Sequence, residues 1–349
     1  MCFIQDISKK LGVLFLFLSI GSKPLLAQTT QHVSGQSANA VYNFLTLPYS
    51  AKATALGGIN ISSLSSDLGL AMFNPALLSS DMDHQLHVGI KPYLSDIKQY
   101  DVNGAHWIAA KKMVLGWGLH YMDYGSTSMT DVSGNYLGDF RPNDYSIQFS
   151  VAGQYTRDLY IGSTLKLIQS NYGLYKSSGI AVDIGLRYRS NNDLSQVSIL
   201  VNNLGTQFKT YVNKEELPFN LILGWSKKLE HAPFQFSITA EKLSLWKLAY
   251  NDTSFNQQQG YSSPSSLQYL INHFIVAGDI FLGTQASVQI GYNFMRRFDL
   301  NIQGQQNWMN GFSAGLDLRF NKMQLQYGNA FFQKNSYHHF SVFYLLHKR

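Results

Sequence analysis

Four charged side chains on two alternating segments are the first residues that could carry out chemistry. Asp183 and Arg187 share one face of the first segment, and Asp317 and Arg319 share one face of the second. Acidic and basic groups that project into one cavity could form a catalytic or transport site. Opposite charges in a confined lumen also pair readily, so we expect these four residues to form structural ion pairs.

Histidines are the second group of candidates, because imidazole nitrogens are common metal ligands. His84 and His87 are three residues apart in the sequence. Side chains at an odd separation on a strand point to opposite faces, so this pair cannot converge on one ion. The adjacent His338 and His339 fail for the same reason. We therefore predict no metal site and no cofactor.

Common catalytic motifs are also missing from the sequence. Gly57 and Gly58 are not followed by the Lys-Ser or Lys-Thr of a phosphate loop, and His-Glu-x-x-His does not occur. The single cysteine, Cys2, lies in a predicted signal segment, which leaves the mature chain without a thiol. These observations predict that the protein is not an enzyme.

The amino-acid composition excludes several classes of protein. Of the 349 residues only 14% are charged, against about 25% in an ordinary soluble domain. Aromatic residues also reach 14%, and the mean hydropathy is −0.11, which argues against disorder and against a bundle of membrane helices. The net charge of +6 is not concentrated in a basic run, so we predict no nucleic-acid partner.

The N-terminus has the pattern of a secretory signal. Lys9 and Lys10 precede the uncharged apolar run 11–20, and a small residue, Ala27, ends the polar stretch that follows. The apolar run is too short to span a bilayer, which takes about 20 residues. We expect cleavage near Ala27, the alternative being a buried N-terminal helix. The predicted organisation is a signal at 1–27, an extension at 28–83 and a barrel at 84–349.

Strict alternation of apolar and polar residues recurs through the rest of the chain. From Tyr145 to Tyr155 one face carries Tyr, Ile, Phe and Val, and the other carries Ser, Gln and Ala. Such alternation is typical of strands with one apolar and one polar face. About 14 segments follow this pattern, with ends uncertain by a few residues: 84–93, 98–111, 113–124, 143–156, 159–170, 176–189, 195–204, 218–229, 234–243, 270–281, 284–295, 310–320, 322–330 and 337–346.

Short connections alternate with long ones, as in outer-membrane barrels. The polar faces carry mainly Ser, Thr, Gln, Asn and Gly, which suits a lumen better than the surface of a soluble β-sandwich, the alternative fold. The predicted fold is an all-β transmembrane barrel of about 14 antiparallel strands in the outer membrane, in contact with its lipid and lipopolysaccharide. Tyrosines near strand ends are expected to form girdles at the membrane interfaces: Tyr121, Tyr124, Tyr155, Tyr172, Tyr188 and Tyr211.

The stretch 38–80 does not alternate. Ser50 is a suitable N-cap for a short helix that ends at Gly57-Gly58, and Asp67 is a suitable N-cap for another that ends at Asn74-Pro75. A barrel of this strand number is wide enough to need filling, so we predict a partly helical hatch in or near the lumen. The alternative is an ordinary periplasmic extension. The hatch motif comprises Gly57, Gly58, Asn74, Pro75 and Ala76.

The same segment carries a resemblance to a known family. Residues 41–48, 50–58 and 74–78 resemble the N-terminal signature of the PorQ family, outer-membrane components of the type IX secretion system of Bacteroidota. Residues 203–207, 217–219 and 231–238 extend the resemblance along the barrel. Lys52 departs from it, because the family more often has Arg at this position. Asn-Pro-Ala also occurs in the related fatty-acid channels, the FadL-like barrels.

This resemblance implies a fold, a function and a set of partners. The fold would be a FadL-like barrel with an N-terminal hatch. The function would be to anchor a PorZ-like surface protein within an attachment complex that also holds a PorU-like sortase and a PorV-like barrel. That complex processes secreted cargo and joins it to lipopolysaccharide.

Two functional classes therefore stay open from the sequence. In the first, a non-catalytic anchor, long loops such as 125–142 and 244–269 would bind the partner, unless the second is simply a solvent-exposed loop. The aromatic residues of that second loop are the candidate contacts: Trp246, Tyr250, Phe255 and Tyr261. In the second class, a channel for a hydrophobic small molecule, the hatch would be a gate.

Overall fold

The computed structural model describes residues 40–246, 248, 265–300, 307–333 and 335–346. The predicted signal at 1–27 lies outside these residues. Within the described ranges, each helix is too short or too polar to cross a membrane.

Strands make up most of the described chain. Their bounds are β1 Gln85–Pro92, β2 Lys98–Ile108, β3 Met113–Asp123, β4 Thr127–Thr130, β5 Tyr136–Phe140, β6 Asn143–Gln154, β7 Leu159–Tyr172, β8 Tyr175–Arg189, β9 Ser195–Lys209, β10 Asn220–Lys228, β11 Phe234–Ala240, β12 Phe274–Leu282, β13 Ala286–Asn293, β14 Phe312–Phe320, β15 Met323–Phe332 and β16 Asn335–Leu345. All except β4 and β5 form one closed barrel, which confirms the predicted barrel of 14 antiparallel strands.

The barrel closes where its first strand pairs with its last. Gln85 of β1 lies opposite Leu345 of β16, and the antiparallel register continues to Ile90 and Phe340. The remaining neighbours pair in chain order, with β3 next to β6 because β4 and β5 form a separate hairpin. Closure leaves no strand edge with unpaired backbone groups, which is the condition for a sheet to sit in hydrocarbon.

The distribution of polarity is the reverse of that in a water-soluble protein. On β6, the polar Ser146, Gln148 and Ser150 are buried, while Ile147 and Phe149 are 40% and 54% exposed. The polar side chains therefore face the lumen, and the large apolar ones face outward. An apolar outer surface around a closed barrel suits a lipid environment, as the alternation predicted.

Connections differ between the two ends of the barrel. At the short-turn end, residues 109–112, 155–158, 190–194, 229–233, 283–285 and 321–322 join neighbouring strands. The long-loop end holds the β4–β5 hairpin and the stretch 241–273, which includes the helix Ser266–Ile271. This helix begins at the N-cap Ser265 and displaces the start of β12 to Phe274, four residues after the predicted start at 270.

Residues 40–83 contain only short helical segments: Asn43–Thr46, Ala51–Ala55, Leu68–Phe73, Pro75–Leu77 and Ser80–Met82. Two predicted caps form, because the Ser50 hydroxyl accepts from the Ala53 N–H and the Asp67 carboxylate accepts from the Leu70 N–H. The N-terminal segment, as residues 40–83 are called below, thus consists mainly of turns and extended chain.

The outward face of the barrel yields a first prediction. Leu165 lies near the middle of β7 and is 41% exposed, next to the fully buried Lys166. The substitution Leu165→Arg should destabilise the membrane-inserted barrel by about 2–4 kcal/mol, because it places a charge in hydrocarbon. Reversible urea unfolding in lipid vesicles measures this free energy.

Leu137→Arg is the matched control, since Leu137 lies in the hairpin and is 57% exposed. The free energy of unfolding of the Leu137→Arg protein should differ from that of the native protein by less than about 0.5 kcal/mol. Equal effects of the two substitutions would contradict an outward face in lipid.

Candidate functional site

The N-terminal segment runs along the inner wall of the barrel between its two ends. At the long-loop end, the Val41 N–H donates to the Glu216 carbonyl. Further along, the Ala51 N–H donates to the Ser341 hydroxyl of β16. At the short-turn end, the His84 N–H donates to the Ala105 carbonyl of β2. The lumen is therefore occupied over its length by the chain's own residues, and this filled lumen is the candidate functional site.

Apolar side chains of the segment form a core inside the lumen. Leu56, Leu68 and Met72 are fully buried, and they belong to one cluster with the wall residues Ile222 and Ile275. Burial of a Leu or Met side chain contributes about 1.5–3 kcal/mol relative to exposure in water. The segment is thus held by hydrophobic contact, even though most of the inner wall is polar.

Glycines of the inner wall let the segment approach the strands closely. A β-carbon on Gly328 of β15 would lie 2.1 Å from the Ala51 carbonyl oxygen, and one on Gly291 of β13 would lie 2.4 Å from the Gly57 nitrogen. Both distances are far below van der Waals contact, so only glycine fits at these positions. The wall is therefore shaped to the backbone of this segment.

The predicted hatch motif lies at such contacts. A β-carbon on Gly162 of β7 would meet the Pro75 backbone at 2.4 Å, and one on Gly185 of β8 would meet the Asn74 side chain at 2.2 Å and the Ala76 β-carbon at 3.1 Å. Asn74 donates to the Ile61 carbonyl at 2.8 Å and accepts from the Ala76 N–H at 3.1 Å, which shapes the turn that Pro75 continues. Asn-Pro-Ala thus forms a rigid corner against two strands.

Gly57 and Gly58 end the helix Ala51–Ala55 with φ angles of 93° and 108°, a conformation that favours glycine. The Gly57 carbonyl accepts from the Asn293 amide and from the Arg296 guanidinium, each at 3.2 Å. Burial lowers the pKa of Arg296 to about 10, although nearby Glu241 opposes this effect. Arg296 therefore stays charged at neutral pH and makes a charge-assisted hydrogen bond to the segment.

A buried ion pair joins the segment to the wall. The Lys52 ammonium lies 3.1 Å from a carboxylate oxygen of Asp279 on β12, and both side chains are 1% exposed. Sequence reasoning did not identify this pair. One signal was available, because a lysine among the apolar residues Ala51, Ala53 and Ala55 is seldom buried without a partner.

The four charged residues singled out from the sequence are only partly brought together. Asp183 is buried but pairs with Lys166 of β7 at 2.7 Å, and not with Arg187. The Arg187 guanidinium stacks 3.9 Å over the Tyr160 ring, since positions 183 and 187 lie too far apart along β8 for a direct contact. Asp317 lies 3.8 Å from Arg319, whose side chain is 48% exposed.

A third buried pair that the sequence did not reveal involves His120 and Asp101. Their side chains approach to 2.5 Å, and the other ring nitrogen of His120 lies 3.1 Å from the Phe44 carbonyl oxygen. His120 therefore connects the inner wall to the N-terminal segment near the long-loop end. His87 is likewise buried, and it bonds to Ser341 and Asn103.

Three of the predicted girdle tyrosines face the lumen instead. The Tyr124 and Tyr172 hydroxyls donate to the Asp144 carboxylate at 2.7 and 3.4 Å, and Tyr211 donates to Ser170. They line a cleft of about 540 Å³ at the long-loop end. Burial raises the pKa of the Tyr124 and Tyr211 phenols, so both stay protonated donors. Their inward orientation follows from these hydrogen bonds, which lipid could not supply.

The candidate partner-binding loop is described only in part. Trp246 is 57% exposed, and its ring lies 6.1 Å from that of His273. Tyr250, Phe255 and Tyr261 lie outside the described residues.

Comparisons with known proteins support the fold. The toluene transporter TodX of Pseudomonas putida has a TM-score of 0.52 at 13% identity, over 85% of this chain and 98% of that one. A mutant of the TodX monoaromatic hydrocarbon channel has a TM-score of 0.51 at 12% identity, over 86% and 98%.

Neither the protein-family models nor the curated proteins include a match to this chain. At such low identities the structural likeness shows the fold alone. The chain shares its fold with the TodX barrels.

The Lys52–Asp279 pair gives the second prediction. Lys52→Met should lower the free energy of unfolding by about 3–5 kcal/mol, because it leaves the Asp279 carboxylate buried without its cation. Asp279→Leu should have a similar effect. The double variant should recover much of the loss, since two apolar side chains then replace two charges.

A double-mutant cycle by urea unfolding in vesicles measures this coupling. Lys98→Met, a substitution of a more exposed lysine at the start of β2, is the matched control. Additive effects of the two single substitutions would contradict a direct interaction.

Proposed function

We propose that the chain is an outer-membrane protein whose closed barrel acts as a non-catalytic anchor for a surface partner. The N-terminal segment serves as a hatch that keeps the lumen shut. One observation carries this proposal: the segment is held to the inner wall by the buried Lys52–Asp279 pair and by backbone contact at wall glycines. A barrel filled in this way suits a role that does not require passage through it.

The partner is proposed from the resemblance described above. It would be a PorZ-like surface protein of the type IX secretion attachment complex, alongside a PorU-like sortase, a PorV-like barrel and lipopolysaccharide. Two features of the long-loop end support a protein-binding role. The β4–β5 hairpin exposes Tyr136 and Leu137 by 65% and 57%, and Trp246 is similarly exposed. Exposed aromatic side chains of this kind are common anchors at protein interfaces.

A second candidate function is a channel for a hydrophobic small molecule. The fold comparisons favour this function over the first, because both TodX structures are described as a transporter or channel. The hatch would then have to move to open a path. The polar inner wall counts against it, since buried Gln148, Thr164 and Gln289 offer no apolar lining for such a ligand.

The anchor function predicts that removal of 250–264 releases the surface partner. The partner should then be lost from the cell envelope, because the loop's aromatic residues are proposed contacts. Fractionation of cells with detection of surface-exposed protein measures this, and heat-modifiable gel mobility verifies barrel insertion. Shortening the turn 190–194 at the opposite end is the control. If the partner is fully retained while the barrel is correctly inserted, this loop does not bind the partner.

A covalent link between the hatch and the barrel wall distinguishes the anchor function from the channel function. The Ser62 and Ser226 hydroxyls are buried 2.8 Å apart, so the double substitution Ser62→Cys and Ser226→Cys should form a disulfide between the hatch and β10. An anchor should hold its partner equally well with this disulfide oxidised or reduced. It should also show no uptake of a labelled fatty acid or toluene into vesicles in either state.

The channel function would be established instead if the native protein and the reduced double variant both take up the ligand and the oxidised double variant does not. The single substitution Ser226→Cys controls for the thiol itself.

A further inference from the structure

Three potential metal ligands meet at the short-turn end of the barrel. Asp83 and His84 precede β1, and His106 lies near the end of β2. One ligand atom from each of the three lies within 4.8 Å of the other two. The spacing of His84 and His87 in the sequence does not reveal this group, which forms because the pairing of β1 with β2 brings His106 beside His84.

The distances fit a single coordinated ion. The Asp83 carboxylate oxygen lies 3.3 Å from the His106 Nδ1 and 3.8 Å from the His84 Nε2. Ligand bonds of about 2.0–2.2 Å in a tetrahedral zinc site place neighbouring ligand atoms about 3.3–3.6 Å apart. The ligand atoms of the two imidazoles lie at most 4.8 Å apart, so binding requires the rings to rotate toward each other.

Hydrogen bonds to β2 and to the residue after β16 fix the backbone around these residues. His84 has a φ of 55°, its N–H donates to the Ala105 carbonyl of β2, and its own carbonyl accepts from the Leu346 N–H after β16. The Asp83 carboxylate accepts from the Trp107 N–H at 2.8 Å. Hydrogen bonds that orient the ligands in this way are a regular feature of protein metal sites.

Both imidazoles are open to solvent, because the His84 and His106 side chains are 45% and 57% exposed. An ion can therefore reach them without opening the barrel. We infer that Asp83, His84 and His106 form a binding site for a divalent transition metal of the Zn²⁺ class, with water completing the coordination. Two imidazoles and one carboxylate favour such ions over Mg²⁺ or Ca²⁺, which prefer oxygen ligands alone.

The place of the site in the fold indicates its effect. His84 adjoins the residue where β1 pairs with β16, which is the seam that closes the barrel. A metal bound there fastens the exit of the N-terminal segment to β2. Binding to the folded state alone stabilises that state, so the barrel should resist unfolding more strongly in the presence of the ion.

Zn²⁺ titration of the detergent-solubilised mature protein tests the site. The protein should carry a tag without histidine and be stripped with a chelator, and isothermal calorimetry should then show one site per barrel. Co²⁺ should give the intense visible absorption of tetrahedral nitrogen and oxygen coordination. His84→Asn, which tolerates the left-handed backbone, and His106→Gln should each weaken Zn²⁺ binding at least about tenfold.

Asp83→Asn keeps an oxygen acceptor for Trp107 and should also weaken Zn²⁺ binding. His231→Ala is the matched control, because His231 is exposed in the turn between β10 and β11 at the same end. The His231→Ala protein should bind Zn²⁺ with the same affinity as the native protein. The inference is overturned if the native protein binds no Zn²⁺, or if His84→Asn and His106→Gln bind as tightly as the control. Heat-modifiable mobility verifies that each variant is folded.

Discussion

The pairing of β1 with β16 is the constraint on which the rest of the structure depends. Backbone groups in hydrocarbon have no water to bind, so a membrane-spanning sheet must leave no free edge. Closure of 14 strands satisfies every ladder but also encloses a wide lumen. Buried amides and charges of the inner wall need partners, which can be water, as in porins, or protein. The N-terminal segment supplies those partners.

Three kinds of contact hold the segment, and each does a different task. Apolar residues such as Leu56 and Met72 supply most of the free energy of packing. Wall glycines fix how closely the segment approaches the strands. The Lys52–Asp279 pair adds little net stability, because both charges lose their hydration. It does disfavour alternative positions of the segment, since any shift would leave a buried charge without a partner.

Alternation along the chain made the barrel strands predictable, because each strand faces lipid on one side and the lumen on the other. The caps Ser50 and Asp67 were also predictable, since a helix start depends on its nearest residues. The partners of the buried charges were not predictable. Lys166 pairs with Asp183 through strand register, and Lys52 meets Asp279 over 227 positions of sequence, distances that no local pattern encodes.

The orientation of the tyrosines at the strand ends could not be predicted from the sequence either. A tyrosine at a strand end suits either a membrane girdle or the mouth of the lumen, and only the strand's orientation decides between them. Tyr124 and Tyr172 face inward because Asp144, on the adjacent β6, offers a buried acceptor there. The hairpin of β4 and β5 was missed because its strands are short and mostly exposed on both faces.

Conductance across a planar lipid bilayer tests most directly whether the N-terminal segment closes the barrel. The native mature protein should insert without producing stable open-pore currents. Removal of residues 40–78 should produce large ohmic steps, and Lys52→Met, which retains the segment, should produce brief openings. Steady open-pore currents from the native protein, unchanged by either alteration, would show that the segment does not seal the lumen.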